Sequence, residues 1–359
     1  MLISNKLPKI SPSFESPCRL AKILKAKKMR KKLVAAASVV IGVLLFVIVL
    51  AFAGFDQIIE PFRKFSLSYL ALFLLATAVL HAISTWRWSA VLKYQGLKVP
   101  FLLLLRYRII GTAISYLTPA ARVGGEPVRG FLLKKKLGIK AGHTYSSVLI
   151  EMSLGMSIDA VLMSVILISM LLFFALPKQV AGFALTISLL AILFLVVFYS
   201  TLISRLGPIS FIFRVFSSLI RLRFFKELTG KIATVEDSMV EFLRLRKKGV
   251  VQAVLVSMLS WPVTFLQYKL ALLSIGFEAS VTIILLSIIA TSIVAIIPIP
   301  AAFGVQEAGY FSVFSLIAVP SVGIALSLII RFKDLLATLT GLILLSHEGL
   351  SVIDVLKKK

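Results

Sequence analysis

Cysteine is almost missing from this chain: Cys18 stands alone among 359 residues. One thiol excludes an intrachain disulfide and a cysteine zinc cluster. Acidic residues are scarce as well, 15 against 40 Lys and Arg. The five aspartates include no Asp-x-Asp pair, the metal-binding arrangement of many glycosyl transferases. No Walker sequence is present, which argues against direct ATP hydrolysis. The three histidines suggest no metal site, and His143 and His347 read as surface residues near span ends. No cofactor is implied. Short alternating segments are lacking too, which removes a β-barrel from consideration.

What is abundant is apolar. Hydrophobic residues make up 59% and charged residues 15%. Several segments run for 18 or more nearly uncharged residues, the mark of membrane-spanning helices. The fold class expected is therefore an all-α polytopic membrane protein. The net charge of +25 lies in clusters that flank apolar runs. That pattern marks cytoplasmic loops and attracts anionic lipid headgroups, and it does not point to nucleic acid.

Residues 1–32 read as a disordered tail that becomes basic from Lys22 to Lys32. Residues 33–53 form an apolar run too long for a typical signal peptide, so a retained anchor is expected, with the N-terminus cytoplasmic. An integral membrane domain is expected over 33–346, with a basic cytoplasmic tail at 347–359. Full crossings are expected near 33–53, 67–86, 144–176, 180–203, 250–275 and 321–346. His81, Trp86 and Trp88 fall near the cytoplasmic end of the second crossing. Trp86, Trp88 and Arg87 read as interfacial anchors. Residues 204–248 form a basic insert with an amphipathic segment at 209–228, suited to the cytoplasmic surface. Two further apolar stretches are broken by Pro and Gly, at 99–133 and 280–318. They read as re-entrant hairpins opening to opposite sides, or else as pairs of full crossings. Six spans and two hairpins would then form an inverted repeat. External loops would carry only Arg63, Lys64 and Lys178 of the 40 cations.

The breaks in those two stretches share a pattern. The first reads Pro119-Ala-Ala-Arg122-Val-Gly124-Gly125-Glu126-Pro-Val-Arg129, and the second reads Pro298-Ile-Pro300-Ala301-Ala302-Phe-Gly304-Val-Gln-Glu307. Both run Pro-Ala-Ala, four residues, Glu. They resemble the two signatures of the lysylphosphatidylglycerol synthase membrane-region family, also called flippase-like. Ala301 and Ala302 stand where that family has glycines. Glu151 and Asp159 are similar to its acidic helix pair, although Met152 replaces the usual arginine. The resemblance implies a domain that moves phospholipids or polyprenyl-linked lipids between leaflets. It does not carry over synthase activity, because the chain to Lys359 leaves no room for the soluble synthase domain.

Charge in an apolar setting is costly, so these residues are the candidate site. Arg122 and Arg129, with Gly124, Gly125 and Glu126, are expected to hold a lipid phosphate, since Arg offers a planar fork to phosphate oxygens. Pro300, Gly304 and Glu307 form the second motif. Glu151, Asp159, Arg331 and Asp334 are supporting intramembrane charges; Arg331 and Asp334 are three apart and can pair on one helix face, and Glu307 could join them. A structural ion pair that pins the hairpin is the competing reading. The function expected is binding and translocation of an anionic phospholipid or polyprenyl-phosphate-linked lipid, in a multi-pass protein of the cell membrane with both termini cytoplasmic. It is read as non-enzymatic. A membrane-embedded lipid-phosphate transferase and an accessory subunit of a lipid-modifying enzyme are the alternatives. Membrane lipids are the expected partners.

Overall fold

A computed structural model describes residues 60–118, 124–138, 141–173, 178–211, 223–297, 299–316 and 319–350. The first expected crossing, both tails proper, part of the 209–228 segment, Pro298 and residues 119–123 lie outside these. Among the described residues every regular element is helical. A short turn of helix at Glu60–Lys64 leads into α1 (Leu67–Tyr94), α2 (Phe101–Leu117), α3 (Glu126–Leu137), α4 (Ala141–Phe173) and α5 (Lys178–Ile203). Then follow α6 (Arg223–Leu245), α7 (Lys247–Ser274), α8 (Val281–Ile296), α9 (Val305–Ser315) and α10 (Pro320–His347). Among the described residues three helices are long and apolar enough to cross a membrane: α1, α7 and the Ala141–Ser169 part of α4.

The hairpins are α2–α3 and α8–α9. With 12 and 11 residues, α3 and α9 reach only about 18 and about 17 Å. The apolar thickness of a bilayer is about 30 Å, so neither hairpin is a pair of full crossings. Local chemistry ends α3 sharply. Pro127 stands in its first turn, Lys134, Lys135 and Lys136 in its last, and Gly138 caps it at φ 65. Cations there meet the negative end of the helix, and glycine takes the left-handed cap without a Cβ clash.

The chain repeats itself. A helix of 28 residues (α1), then 17, 12 and 33, is followed after α5 and α6 by 28 (α7), 16, 11 and 28. The connections match as well: residues 95–100 and 275–280, then 118–125 and 297–304. The central pair, α1 and α7, shows how the halves are related. Arg87 Nη1 donates to Ser257 Oγ at 3.2 Å. Gln267 Nε2 donates to Thr77 Oγ1 at 2.6 Å. Residues 87 and 267 differ by 180, as do 77 and 257, and so do the helix starts 67 and 247. Exchanging α1 with α7 turns one bond into the other, which is the signature of a two-fold contact. Residue 87 meets 257 while 77 meets 267, so the helices are antiparallel. The two halves are inverted with respect to each other, as expected from the sequence.

The symmetry is not complete. The first hairpin's α2 packs along α10, and its counterpart α8 barely touches α4. At the closed seam a Cβ on Gly341 would lie 2.6 Å from the Ile109 carbonyl oxygen. Within the first hairpin, backbones also touch: a Cβ on Gly125 would lie 1.8 Å from the Gly111 oxygen. Backbone cannot swing aside, so Gly125→Ala is expected to cost about 3 kcal/mol through overpacking. Gly138→Ala has open space around it and only its left-handed φ to oppose it, at about 1 kcal/mol. Thermal unfolding of both variants in detergent checks the order; equal losses would mean that the hairpin is not closed as described.

The basic insert expected over 204–248 contains α6, which begins at Arg223. It docks on α4, α5 and α7 through Val235, Met239, Val240 and Phe242, which share a buried cluster with Val91 and Ile150. Its amphipathic face is therefore used for packing.

Candidate functional site

The apolar core of the first half is built around Trp88, Tyr107, Ile110, Ile114 and Leu132. Into it project three guanidinium groups and two carboxylates. Glu151 of α4 is 1% exposed and is their centre. Its Oε1 accepts from Arg87 Nε at 2.9 Å and Nη2 at 2.5 Å, and from Arg108 Nη1 at 3.1 Å. Its Oε2 accepts from Arg129 Nη2 at 2.9 Å. A carboxylate oxygen offers two lone-pair directions; here three N–H groups crowd Oε1 and one meets Oε2. One side chain thus joins α1, α2, α3 and α4.

Each arginine is held from a second side. Arg87 also reaches Ser257, and the hydrogen-only face of Gly155, one turn beyond Glu151, leaves it room: a Cβ there would lie 2.6 Å from Nη2. Arg129 lies over the Trp88 ring, 4.2 Å from its centroid. It also meets Glu126 at 3.4 Å, a long contact. Arg108 differs. Its Nη1 binds Glu151 and the Ser84 carbonyl, at 3.1 and 3.2 Å. Among the described residues no hydrogen bond engages its Nε or Nη2, and the side chain is 16% exposed. It has donors to spare.

Several sequence expectations change here. Arg87 and Trp88 are not interfacial anchors. Arg87 is 8% exposed and Trp88 fully buried, because an intramembrane Glu151 draws the arginine inward and Ser147 satisfies the indole N–H at 3.1 Å; Trp86 is 46% exposed, as an anchor would be. Glu126 is not the main partner of Arg129; Glu151 is. Arg331 and Asp334 do not pair, since Asp334 meets Lys333 at 2.9 Å and Arg331 meets Glu307 at 2.6 Å. Asp159 stays apart from Glu151, exposed on α4, and accepts from Trp261 Nε1 at 3.1 Å. Arg122 lies outside the described residues. Gly125 donates its N–H to Ser115 Oγ at 2.8 Å, and Gly124 packs on Thr118, so both serve close approach within the hairpin.

The second motif forms its own cluster. Glu307, fully buried at the start of α9, accepts on Oε1 from Arg331 Nε at 2.8 Å. Arg331 Nη1 also donates to the Ala301 carbonyl at 3.2 Å and to Tyr116 Oη at 3.3 Å. Pro300 opens a short turn, and Ala301, Ala302 and Gly304 have φ of 53, 48 and 71. The alanines therefore hold the bend that glycine would hold, at a steric cost of roughly 1–2 kcal/mol each. The end of α2 and the turn of the second hairpin face one another across a cleft lined by Ser115, Tyr116, Thr118, Ile299, Ala301 and Ala302.

Arg87 and Arg108 are the site residues that sequence reading missed. A glycine four residues after an intramembrane glutamate was the available signal, because it makes space for a large partner. The hierarchy of the site is testable. Glu151→Gln strips the charge that three buried arginines share and is expected to cost roughly 3–5 kcal/mol. Glu126→Gln loses one long contact and is expected to cost about 1 kcal/mol or less. Melting midpoints measured side by side decide it; equal midpoints would remove Glu151 from the centre.

Residues 36–341 match the family described as the lysylphosphatidylglycerol synthase TM region. A UPF0104 membrane protein of Pyrococcus horikoshii is 25% identical over 337 residues, covering 88% of this chain and 97% of its own. One of Methanothermobacter thermautotrophicus is 23% identical over 337 residues, covering 90% and 98%. A third, of Methanocaldococcus jannaschii, is 28% identical over 112 residues, covering 31% and 33%.

Proposed function

This chain belongs to the lysylphosphatidylglycerol synthase TM-region family, and from that premise we propose that it binds an anionic lipid by its phosphate and moves it between leaflets. The lipid is a phospholipid or a polyprenyl-phosphate-linked lipid. The observation that carries the reading is Arg108. Its guanidinium is anchored by one nitrogen to Glu151 and the Ser84 carbonyl, and among the described residues no hydrogen bond engages the other two. A guanidinium with two free N–H edges is matched to a phosphate. The buried cluster of Arg87, Arg108 and Arg129 with Glu151 and Glu126 carries one more cation than anions, which favours an anionic ligand.

The inverted halves support movement as well as binding. Opposed hairpins that border one cleft suit a route from each side, the usual arrangement for alternating access. The closed α2–α10 seam and the loose α4–α8 contact provide a lateral opening on one side only. In this reading the protein does no bond chemistry, lies in the cell membrane with both termini cytoplasmic, and has membrane lipids as its partners. Lys134, Lys135 and Lys136 at the base of the first hairpin then face anionic cytoplasmic headgroups.

Arg108→Ala is the test. It leaves Arg87 and Arg129 on Glu151, so the fold is retained. Binding of a labelled anionic phospholipid and its exchange between liposome leaflets are expected to fall about tenfold or more, one charge-assisted contact being lost. Arg108→Lys keeps the charge without the fork and is expected to fall between. Wild-type exchange by folded Arg108→Ala would end the phosphate assignment. A modified lipid product in place of exchange would make the protein a transferase.

A further inference from the structure

Glu151 and Glu307 are both buried and both paired with arginine, yet they differ in one respect. Both oxygens of Glu151 accept from arginine, three N–H groups at Oε1 and one at Oε2. Glu307 uses only Oε1, which takes both Nε and Nη2 of Arg331 at 2.8 and 2.6 Å. Its Oε2 is buried without a hydrogen-bond partner. A bare carboxylate oxygen shut away from water is costly, and an idle one at a strained turn calls for an occupant.

We propose that Glu307 is a proton-binding site that controls the tip of the second hairpin. A proton on Oε2 removes the negative charge that holds Arg331. No bond other than O–H is formed, and the proton comes from the aqueous phase. Arg331 is not stranded by the change. It already donates to the Ala301 and Ala302 carbonyls at 3.2 and 3.5 Å and to Tyr116 Oη at 3.3 Å. It also lies over the Phe303 ring, 4.5 Å from the centroid. It therefore has two sets of partners, one with the carboxylate and one without.

The element that would move is the turn at Ala301 to Gly304, with three left-handed residues of which two are alanine. Such strain persists only while surrounding contacts enforce it. Arg331 is the contact that enforces it, joining both strained carbonyls to Glu307. Loosening Arg331 from Glu307 loosens the turn. The body of α9 stays docked regardless of charge, because Gln306 Nε2 donates to the Ser327 carbonyl at 2.9 Å.

Few charged or ionisable groups stand around Glu307. Arg331 faces it from α10 and Tyr116 from α2. Asp334, one turn along α10, is paired with Lys333. Neither α8 nor the rest of α9 carries a charged residue. One turn from Glu307, Tyr310 begins a chain of hydroxyls through Thr291 of α8 to Tyr268 of α7. That chain supplies proton-transfer partners beside an otherwise apolar site. The inference does not depend on which lipid the first cluster takes, or on whether it takes one.

The test uses the full chain in nanodiscs, without added ligand, compared at about pH 8 and about pH 4, a span that reaches the ordinary range of protein carboxylates. Infrared difference spectra are expected to show a carboxylic-acid C=O band at the lower pH that Glu307→Gln lacks. Amide hydrogen exchange at residues 299–304, corrected for the intrinsic pH effect, is expected to rise about tenfold in the wild type as one charge-assisted hold is lost. In Glu307→Gln it should be high at both pH values. Should Glu307→Gln fail to fold, Glu307→Asp serves: it keeps an acid band, at a shifted midpoint. An acid band unchanged in either variant overturns the proposal. So does exchange at 299–304 that ignores pH, or that follows sodium concentration at fixed pH.

Discussion

The carboxylate of Glu151 is the interaction on which the first half of this protein depends. Arg87, Arg108 and Arg129 come from three helices and converge on it from within an apolar core. Three buried guanidinium groups repel one another, and at an effective dielectric of about 20 two unit charges 4 Å apart interact by about 4 kcal/mol. Without an anion at their centre these helices could not close. With it, the repulsion becomes a geometric specification: each arginine has one place in which its N–H groups meet an unused lone pair. Buried ion clusters of this kind do little for net stability over apolar packing, yet they fix which helix lies against which. Here they also leave one arginine, Arg108, with two nitrogens that no hydrogen bond engages among the described residues.

The second half answers this cluster with the charges exchanged. In the first, the long helix α4 supplies the acid and the hairpin supplies arginines. In the second, the long helix α10 supplies Arg331 and the hairpin supplies Glu307. The backbone repeat is close, but the chemistry at equivalent depth is inverted. The first cluster is built to attract an anion, and the second holds a carboxylate with an idle oxygen. An inverted repeat whose halves carry opposite tasks can bind two different charged species with one architecture.

The departure from two-fold symmetry is just as informative. Gly341 lets α10 lie against the backbone of α2 at Ile109. The equivalent position on α4 is Val161, 44% exposed, and no such approach is made there. A glycine seam closes tightly because nothing but backbone separates the helices. A valine offers no such backbone approach. The asymmetry between the two lateral faces is therefore written into side-chain size at one pair of positions.

The apolar runs, the flanking cations and the repeated Pro-Ala-Ala-x4-Glu pattern determined by themselves that this is a helical membrane protein with two broken hairpins. Those features are local: periodicity, length and backbone punctuation act within one segment, so they survive in one dimension. The same locality let Glu126, Arg129, Glu151, Glu307 and Arg331 be singled out, since a charge inside an apolar run is costly wherever the run is placed. What the residues do to one another was not local. Arg87 and Trp88 at a helix end look like interfacial anchors until Glu151, 64 residues away, pulls the arginine into the core. Asp334 looks like the partner of Arg331 until the second hairpin brings Glu307 closer. Only the tertiary structure decided these pairings, because a buried ion pair is chosen by which donors and acceptors can reach each other out of water, and that depends on how the helices cross.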